Sequence, residues 1–185
     1  MTGLVLLWLP ILLSVVIVFI ASSIIHMVSP WHKNDYPPLP DEAAFRSAVG
    51  PLNIPPGDYM VPRPGSREEL KSPEFLEKYK NGPNVVMTVL PGEYSMARNF
   101  ILWILYILVV TILSAYVAGR ALPPGSEYMR VFQFISTVAF IGYSAALWQM
   151  SVWYRRAWSV TLKATVDGLI YGMLTAGVMG WLWPR

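Results

Sequence analysis

The 185-residue chain is predicted to be an all-α membrane protein, with four transmembrane helices and a Pro-rich extramembrane cap of short helices and strands between the first and second. Three observations carry this. Hydrophobic residues make up 55% of the chain and charged residues only 14%, against about 25% charged in soluble domains. Four stretches supply the roughly 20 apolar residues that a bilayer-crossing helix needs. Most of the prolines fall in one polar segment.

The first span, residues 1–27, has no charged side chain before Lys33. It lacks the basic start of a signal peptide and is too long for a typical apolar signal core, so it reads as a retained helix. Pro10 lies within its first two turns, where a missing N–H costs little. Residues 99–119 form the second span, between Arg98 and Arg120. The third covers 128–154 and ends at Arg155. The fourth, 159–183, tolerates Lys163 and Asp167 in an otherwise apolar run.

The cap, residues 28–98, carries its own start and stop signals. Asp41 is placed to cap a helix that runs to Val49 and stops at Gly50. Ser66 with Glu69 fits a capping box, and Ser72-Pro73 opens a helix that Asn81-Gly82 ends. Asp58–Val61 and Val85–Leu90 alternate as strands do and are candidates to pair. Trp31, Tyr36, Phe45, Tyr59, Phe75 and Tyr79 need packing partners, which argues for an ordered cap rather than a free linker.

Lys and Arg near the spans set orientation. The connection with Arg155 and Arg156, reinforced by Lys163, outweighs that with Arg120, Arg130 and Glu127, and the N-terminus has no basic side chain. Both termini are expected outside, with residues 28–98 cytoplasmic.

Chemistry is sparse. Without cysteine there are no disulfides, thiolate metal sites or thiol nucleophiles. A net charge of +3 makes no case for nucleic acid. Nucleotide-binding, zinc-protease and serine-hydrolase motifs are absent, so no enzyme activity and no cofactor are predicted. The residues that stand out lie on the fourth span. Ala164, Gly168, Gly172, Ala176 and Gly180 recur every fourth position, a small-xxx-small row that lets another helix approach closely. Thr161, Thr165, Tyr171 and Thr175 share that face. Asp167 at its edge is expensive in lipid. It is expected to form a structural ion pair with Lys163, its i−4 neighbour, with Arg155 or Arg156 in reach; a proton or cation relay is the alternative. His26 ends the first span and His32 follows Trp31 in the loop, so both read as interfacial, with His26 a candidate to ligate a pigment or haem singly. The tryptophans fit headgroup belts, except that Trp103 and Trp148 lie farther from the span ends and are candidates for partner or cofactor contact.

At "PWHKNDYPPLPDEAAF" and "ATVDGLIYGMLTAGVMGWLWP" the chain resembles small uncharacterised multi-pass proteins of the bacterial inner membrane. Proteins of this build also occur as supernumerary subunits of respiratory or photosynthetic complexes. The resemblance implies an accessory role among other integral-membrane subunits and lipids, and it assigns no site residue. Beside that expectation stand a small channel or transporter using Asp167 and a membrane enzyme or cofactor carrier using His26.

Overall fold

The computed structural model describes residues 1–93 and 95–185, and it is mostly helical with one small sheet. The chain forms two compact units, Met1–Pro37 with Ser95–Arg185, and Pro38–Tyr94.

In the first unit α1 (Trp8–Ser23) lies within a longer helical run that begins at Leu4 and closes in a widened π-helical turn, Ile24–Val28. The second unit contains α2 (Glu42–Val49), β1 (Gly57–Val61), α3 (Pro73–Asn81) and β2 (Val85–Val89). Returning to the first unit, α4 (Met96–Ala121), α5 (Tyr128–Ser144), α6 (Leu147–Tyr154) and α7 (Trp158–Trp181) complete the chain.

Three stretches are long and apolar enough to cross a membrane: Leu4–Val28, Met96–Ala121 and Tyr128–Tyr154. The third is not one continuous helix, because a turn at Ala145 and Ala146 separates α5 from α6. The expected fourth span, α7, forms a 24-residue helix but is not among those three. The reason is composition: Lys163, Asp167, four glycines and three threonines replace bulky apolar residues. That composition suits its place, since α7 packs against α5, α1 and α6, while α4 packs on α1 and α5.

The small-residue row on α7 is filled from within the chain. A Cβ on Gly172 would lie 3.2 Å from both the Phe140 backbone N and the Ser136 carbonyl of α5, and one on Gly180 would sit 2.7 Å from the Tyr128 ring. At Gly168 an added Cβ would collide with the Ser144 hydroxyl. Lipid tails are as apolar as the side chains, so close van der Waals packing of this kind holds membrane helices together in place of a hydrophobic drive. Two apolar layers fill the bundle. Leu7, Ile11, Ala118, Ile135, Ala176 and Met179 lie in one; Val15, Val18, Ile107, Ala139, Tyr143 and Tyr171 lie in the other.

Both termini are tied to the α4–α5 turn. Thr2 donates through its backbone N to Gly119 O (2.7 Å) and through Oγ1 to Leu122 O (3.0 Å); Trp183 Nε1 donates to Pro123 O (3.0 Å) and Gly125 N to Pro184 O (2.8 Å). The other end of the bundle, where α1 finishes and α7 begins, holds His26, His32, Asp35, Lys163 and Asp167.

The second unit forms as its local signals direct. Asp41 Oδ1 accepts from Ala44 N (2.8 Å) at the start of α2, and Ser72 Oγ accepts from Phe75 N (3.1 Å) at the start of α3, satisfying helix N–H groups that have no partner within the helix. β1 and β2 pair antiparallel, with Tyr59 opposite Met87. In the capping box, Ser66 Oγ accepts from Glu69 N (3.1 Å), while Glu69 Oε2 accepts from Gly65 N (2.6 Å), one residue before the position such a box usually uses. The aromatic residues are less enclosed than expected. Phe75 is buried, whereas Phe45 and Tyr79 stay largely exposed, as does Tyr36 in the first unit.

Candidate functional site at the α1–α7 end

A short turn builds the site. Ser29 Oγ accepts from Trp31 N (3.0 Å), Pro30 occupies the next position with its φ preset, and residues 30–32 wind into a single 3-10 turn. Asp35 N then donates to His32 O (3.1 Å). The chain leaving α1 is thereby folded back against α7, and its polar side chains meet those of Lys163 and Asp167.

His32 stands at the centre. Its Nε2 lies 2.8 Å from Asp167 Oδ2 and its Nδ1 lies 2.6 Å from Asp35 Oδ2, while Lys163 Nζ donates to Asp35 Oδ1 at 2.7 Å. The His26 ring stacks on the His32 ring, centroids 4.2 Å apart. Lys163 Nζ also sits 5.9 Å from the Trp31 ring centroid, within cation–π range. Asp167 is only 3% exposed. Its second oxygen, Oδ1, is buried and has no hydrogen-bond partner among the described residues.

This arrangement has a protonic consequence. A neutral imidazole donates through one nitrogen only, so it serves one of the two carboxylates. Serving both requires one further proton, held on His32 or on either acid. Burial opposes the charged form of Asp35, but the hydrogen bonds from Lys163 and His32 outweigh it and hold this carboxyl below its usual value.

Deeper in the bundle lie further polar groups. Tyr171 is one turn beyond Asp167 on α7, its ring packs edge-on against Tyr143 at 5.5 Å, and Thr111 lies beside the Tyr143 hydroxyl. The hydroxyl oxygens of Tyr171, Tyr143 and Thr111 are all buried without a hydrogen-bond partner of good geometry among the described residues. Each such group costs about 1–3 kcal/mol if left dry, so these three hydroxyls are costly members of the core layer that holds Tyr143 and Tyr171.

Several expectations need correction here. Lys163 does not pair with Asp167: it takes Asp35, and Asp167 takes His32, because the turn after α1 brings both an acid and an imidazole onto this end of α7. Neither Arg155 nor Arg156 forms an ion pair with Asp167 among the described residues. His26 and His32 are not separate interfacial residues but a stacked pair. The expectation that Trp103 and Trp148 contact a partner or cofactor is not overturned: Trp103 Nε1 donates to Ser22 Oγ (2.9 Å) and Trp148 Nε1 to Thr165 Oγ1 (3.1 Å), and Trp148 stays 46% exposed. Of the packing row, Gly168, Gly172 and Gly180 meet α5, Ala176 is fully buried, and Ala164 is partly buried. The signal for the centre was present in Ser29-Pro30, which turns the chain at the end of a span, but it does not say which residues the turn reaches.

No family model, curated protein or solved structure matches this chain.

Proposed function

We propose that this chain is a four-span integral-membrane protein that moves protons or a small cation through a centre formed by His32 and Asp167. The observation that carries the reading is the hydrogen-bonded series Lys163, Asp35, His32 and Asp167, with the buried, unpartnered hydroxyls of Tyr171, Tyr143 and Thr111 farther along the same bundle. A relay needs polar groups in sequence, and intramembrane acids are costly enough to be functional by default. Treating α7 as the fourth span is supported by its 24-residue length and by its packing along the same bundle as the three apolar stretches. The setting proposed is the bacterial inner membrane, with both termini outside and residues 28–98 cytoplasmic; no enzymatic activity is proposed. The test is proton and cation flux in proteoliposomes of purified protein. We expect flux in the wild type and its loss in Asp167→Asn at unchanged melting temperature, whereas no wild-type flux, or equal flux in the variant, refutes the reading.

A second reading is an accessory subunit that packs against other integral-membrane subunits of a larger, energy-transducing complex. It is favoured by exposed apolar side chains in the Pro38–Tyr94 unit, where no span lies: Leu52, Leu76, Val86 and Leu90. Surfaces of that kind suit a protein partner. Co-purification of stoichiometric membrane subunits under native conditions supports it, and recovery of the chain alone argues against it.

A further inference from the structure

We infer that His26, His32 and Asp167 form a binding site for a divalent first-row transition metal of the zinc type, with Asp35 as the outer carboxylate that orients His32. The inference deepens the cation reading above and rests on it for its biological role. Each of the three residues offers one ligand atom, and these atoms all lie within 4.8 Å of one another. Ligands about 2.0–2.1 Å from a tetrahedral metal stand roughly 3.3 Å apart. The His32 Nε2–Asp167 Oδ2 separation of 2.8 Å therefore opens slightly on binding, and the other separations, all within 4.8 Å, close by at most about 1.5 Å.

Three features separate this cluster from a chance meeting of polar side chains. The first is Asp167, buried on α7 with Oδ1 unpartnered, a lone-pair donor already desolvated. The second is Asp35, whose contact to His32 Nδ1 is the carboxylate–histidine arrangement that fixes the tautomer of a ligating imidazole and turns its Nε2 lone pair toward the metal. Lys163 in turn holds Asp35 at 2.7 Å. The third is His26, whose side chain makes no hydrogen bond among the described residues although its ring lies against His32. Its place on the widened Ile24–Val28 turn brings a second imidazole to the same spot, and such turns recur at functional sites.

The donor set selects the metal class. Two imidazoles and one carboxylate suit zinc and its neighbours, whereas magnesium and calcium prefer all-oxygen cages and copper(I) prefers sulfur. Three protein ligands leave a coordination position for water or another exchangeable group, as an entry or transfer site requires.

The test uses untagged full-length protein in detergent, stripped with a chelator and titrated with Zn²⁺ by calorimetry, and with Co²⁺ followed by visible absorption. We expect one equivalent of Zn²⁺, a tetrahedral Co²⁺ spectrum, at least about a hundredfold weaker binding in Asp167→Asn, and about tenfold weaker binding in the orienting variant Asp35→Asn. His26→Gln removes a ligand without breaking any hydrogen bond of the metal-free protein, so it keeps the test valid if the acid variants fold poorly; it should weaken binding at least about tenfold. Absence of saturable Zn²⁺ binding in the wild type, or affinity unchanged in a folded His26→Gln protein, overturns the inference. Proton flux measured on stripped proteoliposomes separates this from the broader reading. Asp167-dependent flux without Zn²⁺ binding discards the metal and keeps the relay, while stoichiometric Zn²⁺ binding without flux of protons or Zn²⁺ keeps the site and discards transport.

Discussion

Lys163 and Asp35 stand 128 positions apart in the chain, yet Nζ and Oδ1 meet at 2.7 Å in a largely buried ion pair. Lys163 keeps about a quarter of its side chain exposed and Asp35 only 8%, so the acid is the member that suffers if the pair is broken. Lys163→Met should destabilise the protein by about 1–3 kcal/mol, somewhat less than for a fully buried pair. The double variant Lys163→Met/Asp35→Asn should recover part of the loss, because no unpaired charge remains. Thermal melts of the purified protein in detergent check both; a double variant no more stable than Lys163→Met refutes the pairing argument.

The α5–α7 seam makes a sharper prediction about glycine. Gly172 faces backbone atoms of Phe140 and Ser136, which cannot move aside as a flexible side chain does, whereas Met173 is 41% exposed on the same helix. Gly172→Leu should cost about 1–3 kcal/mol or more, and Met173→Leu less than about 1.5 kcal/mol. Equal melting temperatures for the two variants contradict the seam.

Gly168 permits a compensation test. Its added Cβ meets the Ser144 hydroxyl first, with the Tyr143 Cβ next at 3.1 Å and the Ser144 Cβ at 3.3 Å. Gly168→Ala should therefore be destabilising alone and partly rescued by Ser144→Ala, with a favourable coupling of about 0.5 kcal/mol or more in a double-mutant cycle. Additive effects would show that the two positions do not touch.

Tyr171 and Tyr143 distinguish a polar thread from core packing. Each hydroxyl is buried without a good hydrogen bond among the described residues, so Tyr→Phe removes a poorly satisfied group and should leave stability unchanged or raise it by up to about 1 kcal/mol. The same substitutions should lower proton flux in proteoliposomes. Full flux in Tyr171→Phe and Tyr143→Phe would remove these side chains from the path.

The absence of cysteine makes topology simple to probe, since any introduced thiol is the sole label site. A membrane-impermeant maleimide should fail to label single cysteines placed in residues 65–80 of intact cells and should label them after lysis. Labelling in intact cells reverses the orientation.

Much of the architecture was legible because it rests on short-range physics. Runs of apolar residues marked the three stretches long and apolar enough to cross a membrane, Asp41 and Ser72 announced α2 and α3 through backbone groups three residues on, and strand alternation located β1 and β2. The small, hydroxyl-bearing face of α7 followed from helical geometry: Thr161, Gly168, Tyr171, Gly172 and Thr175 are all buried. What that face meets did not follow, since Gly172 reads the same whether α5 or another protein lies against it. Nor did the helix break at Ala145 and Ala146, where two good helix formers show no local stop signal. The centre was hidden for the same reason. Lys163 and Asp167 are neighbours on one helix turn, and local spacing assigns them to each other. The folded chain instead carries Asp35 and His32 across from the end of α1, and the pairing is set by where that turn lands on α7, a distance in space that spacing along the chain does not encode.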